Sequence, residues 1–112
     1  MTSPTSPSRD RVRVTDHALE RARERHADLR NLQDRELLRT INREVGQALR
    51  DLRYAKTAPR ELLRPPVYDI RSKAGRGARF AWNAGRSRAY VLKRSAGVWL
   101  VVTVLETVHS QT

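Results

Sequence analysis

The segment Val98-Trp99-Leu100-Val101-Val102-Thr103-Val104-Leu105 does most to limit what this chain can fold into. Only Thr103 interrupts its apolar run. The run is far shorter than the ~20 residues of a membrane span. Its β-branched and aromatic content makes it a strand, extending to about Thr107. Near-absence of polar alternation is expected of a central strand, covered on both faces or on one face plus a neighbouring chain. The rest of the chain must therefore supply a sheet around it and a layer over it.

The layer is legible upstream. Leu37, Leu38, Ile41, Val45, Ala48, Leu49 and Leu52 recur at helical spacing and predict a helix from about Asp34 to Arg53. Gly46, within it, costs about 1 kcal/mol relative to Ala, and its missing side chain is expected to permit close packing. An earlier helix is expected from Asp16 to about Arg30, with Thr15 or Asp16 as cap. Ala18, Leu19, Ala22, His26 and Leu29 form its apolar face. The Thr57–Pro66 connector contains a short turn opened by Pro59.

Beyond it the period changes to two. Val67–Arg71, Arg79–Trp82, Arg88–Arg94 and Val98–Thr107 read as strands, separated by turns at Ala74–Ala78, Asn83-Ala84-Gly85 and Ser95-Ala96-Gly97. Short connections imply an antiparallel meander. The expected fold is α+β, two N-terminal helices packed on a four-stranded antiparallel sheet in the order ααββββ. A Ser-, Thr- and Pro-rich segment, residues 1–10, reads as a flexible tail, and residues 11–112 as a single domain.

Charge narrows the partner. The 112 residues carry 23 basic and 12 acidic side chains, a formal net charge of +11. A GC-rich genome would account for Arg over Lys, but not for the excess over acids. Such a field implies a polyanion, most simply nucleic acid. The first 56 residues hold 13 basic and 9 acidic residues; the remaining 56 hold 10 and 3. Between Arg71 and Arg94 there is no acid, so Arg71, Lys73, Arg76, Arg79, Arg86, Lys93 and Arg94 are the candidate nucleic-acid contacts.

Several chemistries are excluded by sequence. There is no cysteine, no phosphate-binding glycine motif, no nucleophile elbow and no HExxH. No metal or cofactor is expected. The remaining set of His, Arg, Lys, Tyr and Thr suits RNA cleavage, where the 2′-hydroxyl is the nucleophile and the protein moves protons and stabilises the phosphorane. His17 lies in the first helical turn, opposite the apolar face, whereas Arg25 borders that face. His26 falls on it and reads as a core histidine. Phe80, Trp82 and Trp99 read as packing residues rather than stacking platforms.

The segment Thr15-Asp16-His17-Ala18-Leu19-Glu20-Arg21-Ala22-Arg23-Glu24-Arg25 resembles the T-x-H-A-x-x-R-x-x-x-R opening of small bacterial and phage proteins of the DUF4258 type, relatives of the BrnT and RelE toxins. Val98–Leu105 is similar to their closing strand. The resemblance implies the barnase–EndoU–colicin–RelE fold and a metal-independent endoribonuclease. It implies His17 as proton carrier, Arg25 and Arg88 as stabilisers of the phosphorane, and Thr103 or Tyr90 as positioning groups. His17, Arg25 and Thr103 match its motifs; Arg88 has no fixed counterpart. An acidic antitoxin or the ribosome would be the protein partner, in a cytoplasmic setting with no membrane. The alternative is a non-enzymatic basic module that binds nucleic acid or a host factor.

Overall fold

The apolar run forms an interior strand of the sheet. The structure, a computed structural model, describes residues 11–57, 59, 61–63 and 77–109. In chain order the elements are β1 (Arg11–Val14), α1 (Asp16–Arg25), α2 (Ala27–Arg30), α3 (Asp34–Arg50), β2 (Tyr54–Ala55), β3 (Arg79–Trp82), β4 (Arg88–Ser95) and β5 (Val98–Glu106). They make one five-stranded sheet in the order β1-β5-β4-β3-β2.

The α+β class stands, but the four-stranded antiparallel sheet is corrected to a five-stranded mixed one. β1 pairs in parallel with β5, Arg11 opposite Val98 and Val14 opposite Val101, while the other pairings are antiparallel. The expected strand at Val67–Arg71 and the N-terminal tail lie outside the described residues.

The single long N-terminal helix is corrected as well. It breaks at His26, whose backbone is extended (φ −130°, ψ 109°), so α1 and α2 are separate. The break turns the imidazole inward, where Nε2–H donates to the Leu105 carbonyl at 3.1 Å. That carbonyl can only accept, which fixes the tautomer. Burial holds the His26 pKa below its usual 6.5, against the raising effect of that bond.

Thr15 fastens the start of α1 to the sheet. Its Oγ1 accepts from the Ala18 amide at 3.1 Å and donates to the Val101 carbonyl at 3.0 Å. The Thr15 amide also donates to Val101. The anchor sits at an irregularity: Val91 pairs with Thr103 and Leu92 with Val101, leaving Val102 as the extra residue of a bulge.

Alternation along the strands sorts the core into two clusters. Tyr90, Leu92, Trp99, Val101 and Val104 face the helices and pack on Ala18, Ala22, Leu29, Leu37, Ile41, Val45 and Ala48. Phe80, Ala89, Val91 and Leu105 face the other way, where Leu62 covers them. Leu62 follows the Pro59 turn, its amide bonded to the Pro59 carbonyl. Gly46 differs from expectation: a Cβ there would meet no heavy atom within 4 Å, so it is not a packing contact. Among the described residues, no helix is long and apolar enough to cross a membrane.

Candidate nucleic-acid interface

One end of the sheet gathers positive charge from four strands or their immediate extensions. The antiparallel turns bring together the starts of β1, β3 and β5 and the ends of β2 and β4. Arg11 and Arg13 come from β1, Arg79 from β3, and Lys93 and Arg94 from β4; Lys56 follows β2 directly. Arg11, Arg13, Lys56, Lys93 and Arg94 are exposed, and Arg79 is half-buried. The only acid on the described strands is Glu106, at the opposite end of β5.

Register places several of these charges side by side. Arg13 and Lys93 both flank Leu100, on the sheet face turned away from the helices. Arg94 lies on the helix-side face, with its guanidinium 4.9 Å from the centre of the Trp99 ring. That separation is within cation–π range. Trp99 in turn meets Tyr54 edge-on, with ring centres 6.4 Å apart. The hairpin tip between β4 and β5 is the two-residue turn Ala96-Gly97, both at positive φ (49° and 78°). This geometry matches the right-handed strand twist and favours glycine at the second position. The tight tip leaves Lys93 and Arg94 flanking the end on opposite faces.

Three of the seven sequence-predicted contacts, Arg79, Lys93 and Arg94, belong to this end. Arg86 is exposed in the turn at the other end of β4, and Arg71, Lys73 and Arg76 lie outside the described residues. Arg11, Arg13 and Lys56 join Arg79, Lys93 and Arg94 without a signal in the sequence. Their sequence neighbourhood is mixed in charge, and only strand pairing brings them to this edge.

The residues suggested for catalysis are dispersed. His17 is exposed on α1, on the helix side of the sheet. Arg25 donates to the Val104 carbonyl at 2.9 Å, and burial together with Arg21 lowers its pKa. Thr103, opposite Val91, lies on the face away from the helices.

Arg88 and Tyr90 come together, but beneath α2 and α3. Glu44 accepts from Arg88 Nε at 3.0 Å and Nη2 at 2.6 Å, while Asp28 accepts from Nη1 at 2.8 and 3.0 Å. The Tyr90 hydroxyl donates to Glu44. Burial opposes the Arg88 charge, yet the two carboxylates hold its pKa above the usual arginine value. Burial, then Glu44, pushes the Tyr90 phenol well up, so it stays a neutral donor. Arg88 in this arrangement has carboxylates where a phosphate would have to bind. Among the described residues, no cluster of three or more His, Cys, Asp or Glu is placed to hold a metal ion.

No family model, curated protein or solved structure matches the chain.

Proposed function

We propose that the protein binds RNA through the basic end of its sheet, with the phosphate backbone crossing the β4–β5 hairpin tip. The observation that carries this reading is the convergence of Arg11, Lys56, Arg79, Lys93 and Arg94 from four strands or their extensions on an edge whose strands bear no acid there. Exposed cations so arranged release condensed counterions on binding a polyanion, which favours association at low salt. Lys93 and Arg94 reach opposite faces, so a single strand lying across the tip meets charge on either side. On this reading the setting is the cytoplasm.

Cleavage is the stronger claim carried by the resemblance to ribonuclease toxins, with His17 moving the proton and an acidic antitoxin or the ribosome as partner. The geometry supports binding better. His17, Thr103 and the Arg88–Tyr90 pair stand on different elements and both sides of the sheet, rather than around one phosphate-sized space.

A labelled single-stranded RNA incubated in EDTA tests both. Fluorescence anisotropy is expected to show salt-dependent binding that Lys93→Ala/Arg94→Ala weakens, with the RNA recovered intact. Unchanged binding in the double variant sinks the sheet-end reading. Cleavage by the wild type that disappears in His17→Ala restores the catalytic one.

A further inference from the structure

The outer face of α3 is a second basic surface, and nothing in the sheet-end reading uses it. At about 100° per residue, Arg35, Arg39, Arg43 and Arg50 fall within about 80° of arc. All four are exposed. None takes part in an ion pair or a side-chain hydrogen bond among the described residues. The acids of this helix lie elsewhere: Glu44 is turned inward to Arg88, Asp34 pairs with Arg23, and Glu36 borders the stripe only near its beginning. Asn42 and Gln47 flank the arginines and are also exposed. Gly46 falls inside the stripe, and the space where its Cβ would stand is open.

We infer that this face of α3 docks a B-form DNA duplex, lying in the major groove. Charge complementarity is the first argument. The stripe runs about 22 Å along the axis at about 1.5 Å per residue, beside strands that carry a phosphate about every 3.4 Å. Shape is the second. A helix about 10–12 Å across with its side chains fits a groove about 12 Å wide. The deep, narrow major groove of A-form RNA does not admit it. Chemistry is the third. Arg, Asn and Gln are the side chains whose paired donors and acceptors match guanine and adenine edges there. Gly46 removes the side chain that would hold the helix backbone away from the groove wall. The opposite face of α3 is sealed by Leu37, Ile41, Val45 and Ala48 in the core, so the stripe is presented rigidly.

The test compares a 20-base-pair DNA duplex, an RNA duplex of the same sequence and a single-stranded RNA, by anisotropy over a salt series. Arg39→Ala/Arg43→Ala and Gly46→Glu both keep good helix formers on α3, and circular dichroism checks the fold. The double variant is expected to bind the DNA duplex at least about tenfold more weakly at low salt. Its log–log salt slope should fall by roughly 1.8, about 0.9 for each phosphate no longer neutralised. Gly46→Glu is expected to weaken duplex binding comparably by placing an acid amid the arginines. Lys93→Ala/Arg94→Ala should leave duplex affinity within about twofold, while reducing single-strand affinity. Unchanged duplex affinity in both α3 variants overturns the inference, as does equal affinity for the RNA duplex. Single-strand binding that survives either result leaves the sheet-end reading standing alone.

Discussion

Arg88 on β4 and Glu44 on α3 form a two-pronged ion pair, with Nε and Nη2 at 3.0 and 2.6 Å from the two carboxylate oxygens. The guanidinium side chain is 9% exposed and the Glu44 side chain 18%, so neither is well hydrated. Asp28, completing the clamp, is 64% exposed. Removing one partner of a buried pair costs about 3–5 kcal/mol because the other charge stays desolvated. Glu44→Ala is therefore expected to lower unfolding free energy by about 3 kcal/mol in urea titration. Asp28→Ala should cost less than about 1 kcal/mol, as for an exposed pair. Equal losses from the two would refute this division of labour.

His26 makes stability depend on pH. Its pKa is lowered in the folded protein and stands near 6.5 when unfolded. Between those values the unfolded chain binds the extra proton. The contribution is therefore complete above about pH 6.5 and declines as pH falls through the folded value. Urea midpoints should fall between pH 7 and pH 5 in the wild type. In His26→Gln, which cannot ionise, that part of the slope should vanish; an identical slope would assign it to other groups.

The end of α3 carries strain that can be relieved. The Arg53 amide bonds to the Ala48 carbonyl and the Leu52 amide to Leu49, the pattern of a Schellman cap. Leu52 occupies the left-handed position at φ 59°, with 74% of its surface exposed. A side chain there costs about 1–2 kcal/mol that glycine avoids. Leu52→Gly should raise the thermal midpoint. Gly46→Ala should stabilise α3 by up to about 1 kcal/mol, since the new Cβ has open space. A destabilised Gly46→Ala would mean that α3 cannot accept even a methyl at this point.

Thr15 serves the helix and the sheet with one hydroxyl. Thr15→Ala is expected to cost about 1–2 kcal/mol, towards the upper end for a cap, because the tie to Val101 is lost as well. Thr15→Ser keeps both hydrogen bonds and should recover most of the loss. Serine behaving like alanine would point to the methyl group instead.

The helical stripe of α3 is legible because its period repeats over several turns, and β5 because its apolar run is rich in β-branched residues. β1 is not. Its four residues alternate Arg and Val, and only pairing with Val98–Val101 makes them a strand. The break after Arg25 leaves no mark in the sequence because His26 sits on the apolar stripe, where a continuous helix would also bury it. At the basic edge, Arg79, Lys93 and Arg94 stood out by lying in an acid-free stretch. Arg11, Arg13 and Lys56 could not, since strand register rather than sequence proximity assembles the edge. The partners of Arg88 are hidden from the sequence for the same reason: its carboxylates lie 44 and 60 residues away along the chain.

The parallel pairing of β1 with β5 also sets an order of events during synthesis. Arg11 must wait for Val98, and Thr15 for Val101, before either finds its partner. At about 5–20 residues per second, those 87 intervening steps occupy roughly 4 to 17 s. Over the part of that interval that follows Arg50, roughly 2 to 10 s at the same rate, the helices are already made while β5, which they cover, is not. A nascent chain therefore carries exposed apolar helix faces until β5 has left the ribosome.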